Sequence, residues 1–138
     1  MNFMTEEKRM IGLVQTIAHS NEILGEELQF LLSCRAKRKI DFLLIDIREM
    51  MEYSALSIKG TDMLLPTSTL HLHLDELSKK KDSLMIFYCR SSNRTFQIVH
   101  ILKRMGFIRI AHLAGGIIEY HGETLKNAPF PHNIRTKE

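Results

Sequence analysis

The chain has 138 residues, 44% hydrophobic and 25% charged, and its 19 basic and 16 acidic side chains leave a formal charge of +3. That length holds a single core, and so apolar a composition with so small a net charge excludes intrinsic disorder. Seven glycines and three prolines exclude a collagen-like or low-complexity chain, and the apolar run Phe42-Leu43-Leu44-Ile45 falls far short of the ~20 residues of a membrane-spanning helix.

Residues 1–19 form an N-terminal extension in which Met10-Ile11-Gly12-Leu13-Val14 follows four charged residues; helix and edge strand both fit so short a stretch. Glu6 and Glu7 stand where a secretory signal would carry basic residues, so none is read there. One domain, 20–130, follows, with a C-terminal tail at 131–138. A helix is expected just after Ser20 or Asn21, either of which can cap it, with Ile23, Leu24, Leu28, Phe30, Leu31 and Leu32 on its apolar stripe. The basic cluster Arg35, Lys37, Arg38 and Lys39 suits its C-terminus. Ile40–Ile47 reads as a strand covered on both faces, ending in charged Asp46 and Arg48. A short helix is expected over 49–56, a brief strand at Met63-Leu64-Leu65 stopped by Pro66, and a polar helix over 67–81.

Ser83–Tyr88 is a second buried strand, 89–94 a polar loop, and 95–105 a helix closed by Gly106. Phe107–Leu113 is a third strand, and Gly115-Gly116 turns the chain into 117–125. Strands and helices alternating at this spacing predict a three-layer α/β/α domain with a mainly parallel sheet of about five strands.

Cys34 and Cys89 are neither a disulfide framework nor a zinc spacing, which favours a reducing, cytoplasmic setting. Cys34, among Leu31, Leu32 and Ala36, reads as an inert core thiol. Cys89 follows a buried strand, and ligands of open α/β sheets bind beyond such strand ends. Loop N–H groups, the positive end of the following helix, and Arg90 and Arg94 all favour a thiolate, which is the nucleophilic form. From 89 to 109 there are five basic residues and no acidic one, so the same field favours an anionic substrate. The thiol is expected at the mouth of the sheet, open to water.

Tyr88-Cys89-Arg90-Ser91-Ser92-Asn93-Arg94-Thr95 resembles the active-site loop of the rhodanese family, usually Cys-Arg-Ser-Gly-x-Arg in its single-domain members. Asp46-Ile47-Arg48 with Glu52-Tyr53 resembles that family's Asp-x-Arg-x-x-x-Glu-aromatic signature, and Leu113-Ala114-Gly115-Gly116 its Leu-x-Gly-Gly segment. The resemblance implies a sulfurtransferase. Cys89 would take sulfane sulfur from an anionic donor such as thiosulfate as a persulfide and pass it to cyanide, a thiol or a protein. Arg90, Ser91, Ser92, Asn93, Arg94 and Thr95 would bind the donor, with Asp46 and Arg48 as structural support. It implies no cofactor and no metal. Its small-molecule partners are the donor and the acceptor, and a sulfur-relay protein is a further one.

Three departures stand out: Ser92 replaces the usual glycine, Ser57 stands where the family has histidine, and Tyr120 replaces tryptophan. If position 92 needs positive φ, serine costs about 1 kcal/mol there. A non-catalytic persulfide relay or sulfur-binding module serving a partner desulfurase is the main alternative. A dual-specificity phosphatase is the weaker one, since four rather than five residues separate Cys89 from Arg94. His71 and His73 lack a third ligand at metal-site spacing and read as surface histidines, while His100, His112 and His121 have no assigned role. No aromatic-interleaved groove accompanies the basic patch, so neither nucleic acid nor membrane is expected as a partner.

Overall fold

The computed structural model describes residues 3–131. Its elements are α1 (Phe3–Ser20), β1 (Glu22–Ile23), α2 (Gly25–Ala36), β2 (Leu43–Asp46), α3 (Met50–Ala55), β3 (Ser57–Ile58), β4 (Met63–Leu64), α4 (Leu74–Ser78), β5 (Met85–Tyr88), α5 (Asn93–Arg104), β6 (Ile110–Leu113) and β7 (Thr124–Leu125), with 3-10 turns at Leu70–His73 and Ile117–Glu119. Five strands lie side by side in the order β1-β6-β5-β2-β4, each neighbouring pair parallel. This is the α/β sheet that the alternating pattern predicts. β3 and β7 pair antiparallel in a separate ribbon.

The apolar runs are continuous because both faces of the sheet are covered. Leu44, Ile86, Tyr88, Ala111 and Leu113 point to one core, filled by Met10 and Ile17 of α1 and Leu28, Leu31 and Cys34 of α2. Ile45, Met85, Phe87 and Ile110 point to the other, closed by Leu77 of α4 and Val99 and Leu102 of α5. No described helix is long and apolar enough to cross a membrane.

Several local expectations are corrected. The opening segment is a helix, and Ile17 lies fully inside the core. Ser20 ends α1 rather than capping the next helix. Asn21, at φ 61°, turns the chain into β1 while its amide donates to the Ile110 carbonyl at 2.9 Å. α2 therefore starts at Gly25, where the Glu27 carboxylate accepts the Leu24 N–H at 2.9 Å. Over 67–81 only the turn at Leu70–His73 and α4 are helical. The tail expected at 131–138 lies, apart from Pro131, outside the described residues.

Candidate active site

Strand alternation decides where Cys89 points. Phe87 faces the α5 side and Tyr88 the other, so Cys89 returns to the α5 side, beneath that helix's first turn. The helix begins at Asn93, two residues earlier than its apolar spacing suggests, so the loop proper is only Cys89–Ser92. Asn93, Arg94 and Thr95 belong to the helix's opening turn. Ser92 precedes it at φ 88°, ψ −8°, the left-handed conformation in which the family's glycine is free of strain and a serine is not. In that conformation the Ser92 N–H donates to the Cys89 sulfur at 3.2 Å. The Thr95 hydroxyl lies 3.6 Å from the same sulfur and 3.1 Å from the Ser92 carbonyl, and its one proton turns to the sulfur when the thiol ionises.

The sulfur is not open to water as expected: Cys89 is 1% exposed. Its strand parity drives it into the core of Ile45, Ile47 and Val99, and the loop backbone folds over it. Burial pushes the thiol pKa up, but the Thr95 N–H, the Thr95 hydroxyl, and the N–H groups of Ser92 and Arg94 outweigh it, and the net direction is down. Cys34 shows the contrast: fully buried without such donors, its pKa is pushed up by desolvation.

The two arginines are placed differently from each other. Arg90 is exposed, whereas the half-buried Arg94 sends Nη2 to Glu52 Oε2 at 3.4 Å. Amide and hydroxyl groups of the helix start, rather than guanidinium groups, are the main source of thiolate stabilisation. Asp46 and Arg48 form the expected structural pair, with Arg48 Nη2 2.8 Å from Asp46 Oδ2 and both side chains buried. Arg48 Nη2 also donates to the Leu56 carbonyl at 2.6 Å, which anchors α3 beside the loop. Below the loop, the Tyr88 hydroxyl accepts the Ile58 N–H at 3.1 Å and meets Thr61 Oγ1 at 2.9 Å. Burial holds that phenol protonated, far above its ordinary range.

Two contributors escaped the sequence. Gly116, at φ 64°, backs directly onto the loop: a Cβ there would overlap the Arg90 carbonyl and the Ser91 nitrogen. The Ile117 N–H donates to the Cys89 carbonyl at 3.0 Å and the Ile118 N–H to the Arg90 carbonyl at 3.2 Å. Glu52 is the other, since its contact with Arg94 bridges 42 positions of chain. The Gly-Gly pair and the signature glutamate were the visible signals, but neither says what it touches.

His112 is buried 3.6 Å from Glu22, and burial lowers its pKa, while His73 sits 3.9 Å from Glu76. Among the described residues no group of three or more His, Cys, Asp or Glu is placed to hold a metal ion.

This arrangement makes the thiol chemistry testable by itself. Thr95→Val keeps the shape but removes the hydroxyl, and about a tenfold loss of Cys89 alkylation rate near neutral pH is expected from one lost hydrogen bond to a charged sulfur. Cys34 remains unmodified in both proteins. Because folding lowers the Cys89 pKa, its contribution to stability is present above the unfolded pKa and disappears as pH falls through the folded one. Iodoacetamide labelling followed by peptide mapping measures both rates; equal rates in the two proteins would discount the hydroxyl.

A cysteine beyond the central strand of a five-stranded parallel sheet, with its sulfur under the start of the following helix, defines the class of α/β domain to which this structure belongs. The family model for the rhodanese-like domain matches residues 29–123, and the chain belongs to that family. It is 35% identical over 104 residues to a sulfurtransferase of Allochromatium vinosum, covering 74% of this chain and 91% of that one. It is 32% identical over 84 residues to a tRNA uridine(34) hydroxylase of Hamiltonella defensa, covering 58% of this chain but only 23% of that protein. Among solved structures it resembles a thiosulfate sulfurtransferase of Pseudomonas aeruginosa, at TM-score 0.68 and 25% identity, over 91% of this chain and 24% of that one.

Proposed function

We propose that the protein transfers sulfane sulfur through a persulfide on Cys89. The observation that carries this reading is the sulfur itself, with its pKa lowered by the amide and hydroxyl donors of the α5 start despite near-complete burial. With thiosulfate, the Cys89 thiolate attacks the outer sulfur, the S–S bond breaks, and sulfite leaves with the bonding pair. The product is a Cys89 persulfide anion, and neither a proton nor an electron is gained or lost. An acceptor such as cyanide or a thiolate then attacks the terminal sulfur and restores the Cys89 thiolate. The N–H groups that hold the thiolate are placed to stabilise the persulfide anion as well. In this reading Ser91, Ser92 and Asn93 are assigned to donor binding, Arg90 supplies exposed positive charge, and a reducing cytoplasm keeps the thiol free.

The test is direct. Wild type incubated with thiosulfate gains one sulfur atom by intact-mass spectrometry, dithiothreitol removes it, and Cys89→Ser gains none. Sulfur retained by Cys89→Ser, or no gain by wild type from thiosulfate or a low-molecular-weight persulfide, overturns the reading. The relay alternative is favoured by one observation, the offset of Arg94 by Glu52, since that weakens capture of a small dianion. A relay accepts sulfur from a partner's persulfide while turning over thiosulfate and cyanide negligibly.

A further inference from the structure

Glu52 belongs to α3, yet its carboxylate is oriented by two partners at once. Oε1 accepts the Glu49 N–H at 2.9 Å, a helix-start contact that fixes the side chain, and Oε2 faces Arg94 Nη2 at 3.4 Å. The Arg94 N–H is one of the donors at Cys89, so the residue that carries this guanidinium lies on the first helical turn beside the sulfur. Both side chains are partly exposed, 38% for Arg94 and 33% for Glu52, so an arriving anion competes with the carboxylate for the guanidinium. The Glu52 carboxyl is more acidic than usual: burial opposes ionisation, and the Glu49 N–H and Arg94 outweigh it. The carboxylate is therefore charged at neutral pH.

From this geometry we propose that Glu52 is a charge-selectivity residue acting through Arg94. It offsets the guanidinium and so weakens binding of dianionic sulfur donors relative to monoanionic ones. The inference rests on the sulfurtransferase reading. Coulomb attraction to a cation scales with donor charge, so removing the counter-charge benefits a dianion about twice as much as a monoanion. Glu52 needs no contact with the reacting atoms for this. Gln at position 52 keeps an oxygen for the Glu49 N–H and removes only the charge, which separates selectivity from folding.

The experiment compares wild type, Glu52→Gln and Arg94→Ala in steady-state thiocyanate formation. Thiosulfate serves as dianionic donor and methanethiosulfonate, which releases methanesulfinate, as monoanionic donor. In Glu52→Gln the KM for thiosulfate falls about fivefold, on the scale of one partly exposed ion pair, with kcat and melting temperature unchanged. The KM for methanethiosulfonate moves by about half as much on a logarithmic scale. Arg94→Ala raises the thiosulfate KM and narrows the difference between donors. Equal thiosulfate KM values in wild type and Glu52→Gln overturn the selectivity role and leave sulfur transfer standing. So does a joint fall of kcat and melting temperature, which marks a merely structural glutamate. If no donor loads Cys89 in any of the three proteins, the sulfurtransferase reading fails and the selectivity role with it.

Discussion

Gly116→Ala is expected to cut sulfur loading of Cys89 by at least about a hundredfold, because displacement of reacting groups by about 1 Å costs that much. The reason is steric and local. Gly116 holds φ 64°, ψ −165°, a conformation that essentially only glycine adopts and that costs other residues roughly 1–3 kcal/mol. A Cβ on it would also overlap the backbone of Arg90 and Ser91, which cannot swing aside as a flexible side chain would. The hydrogen bonds from Ile117 and Ile118 hold that backbone in place, so the methyl group must push the loop outward or break them. Either result moves the Ser92 N–H away from the sulfur. Gly12→Ala is the control: it lies on α1 with nothing within 4 Å of the added carbon, and alanine there is neutral or stabilising by up to about 1 kcal/mol. Loading is measured by mass after brief exposure to thiosulfate, with melting curves alongside. Loading by Gly116→Ala at the rate of wild type would show that the double-glycine turn does not shape the loop.

Why Gly116 was legible only as a turn, while Cys89 was legible as a nucleophile, follows from the range of the interactions. The thiol's surroundings are written in neighbouring positions: a buried strand before it, a helix after it, donors three and six residues along. The same is true of Asp46 and Arg48, whose contact spans two positions. The Glu52–Arg94 contact, and the packing of the 115–116 turn on Arg90, exist only once β2, β5 and β6 lie side by side. Two-residue strands such as β1, β3 and β7 carry too little pattern to show a period, so the start of α2 was placed too early and the β3–β7 ribbon was missed. Burial of the sulfur was deducible in principle, since Phe87 and Cys89 share a parity, but the polar loop sequence obscured it. Polar residues can cover a sulfur with their backbone, and Ser92 does so here with its N–H 3.2 Å away.

The second large effect concerns the buried pair under α3. Asp46→Ala is expected to destabilise the fold by about 3–5 kcal/mol, the usual consequence of leaving a buried charge without its counter-ion. Arg48 is 4% exposed, and its Nε and Nη2 reach the two Asp46 oxygens at 3.0 and 2.8 Å, so water cannot take over the lost role. For a small domain whose whole stability is roughly 5–15 kcal/mol, that is a large share. The paired change Asp46→Leu with Arg48→Met removes both charges and retains apolar volume, and it is expected to recover more than half of the loss, because no charge then has to be desolvated. Urea unfolding of the three proteins gives the values. A cost under about 1 kcal/mol for Asp46→Ala would place this pair with surface ion pairs and sink the structural role. The comparison with Glu52 is instructive: that contact is one-third exposed, so Glu52→Gln barely moves the unfolding midpoint. Of two carboxylate–guanidinium contacts on neighbouring elements, the dry one anchors α3 through the Leu56 carbonyl, and the wet one remains free to exchange its arginine with an incoming anion.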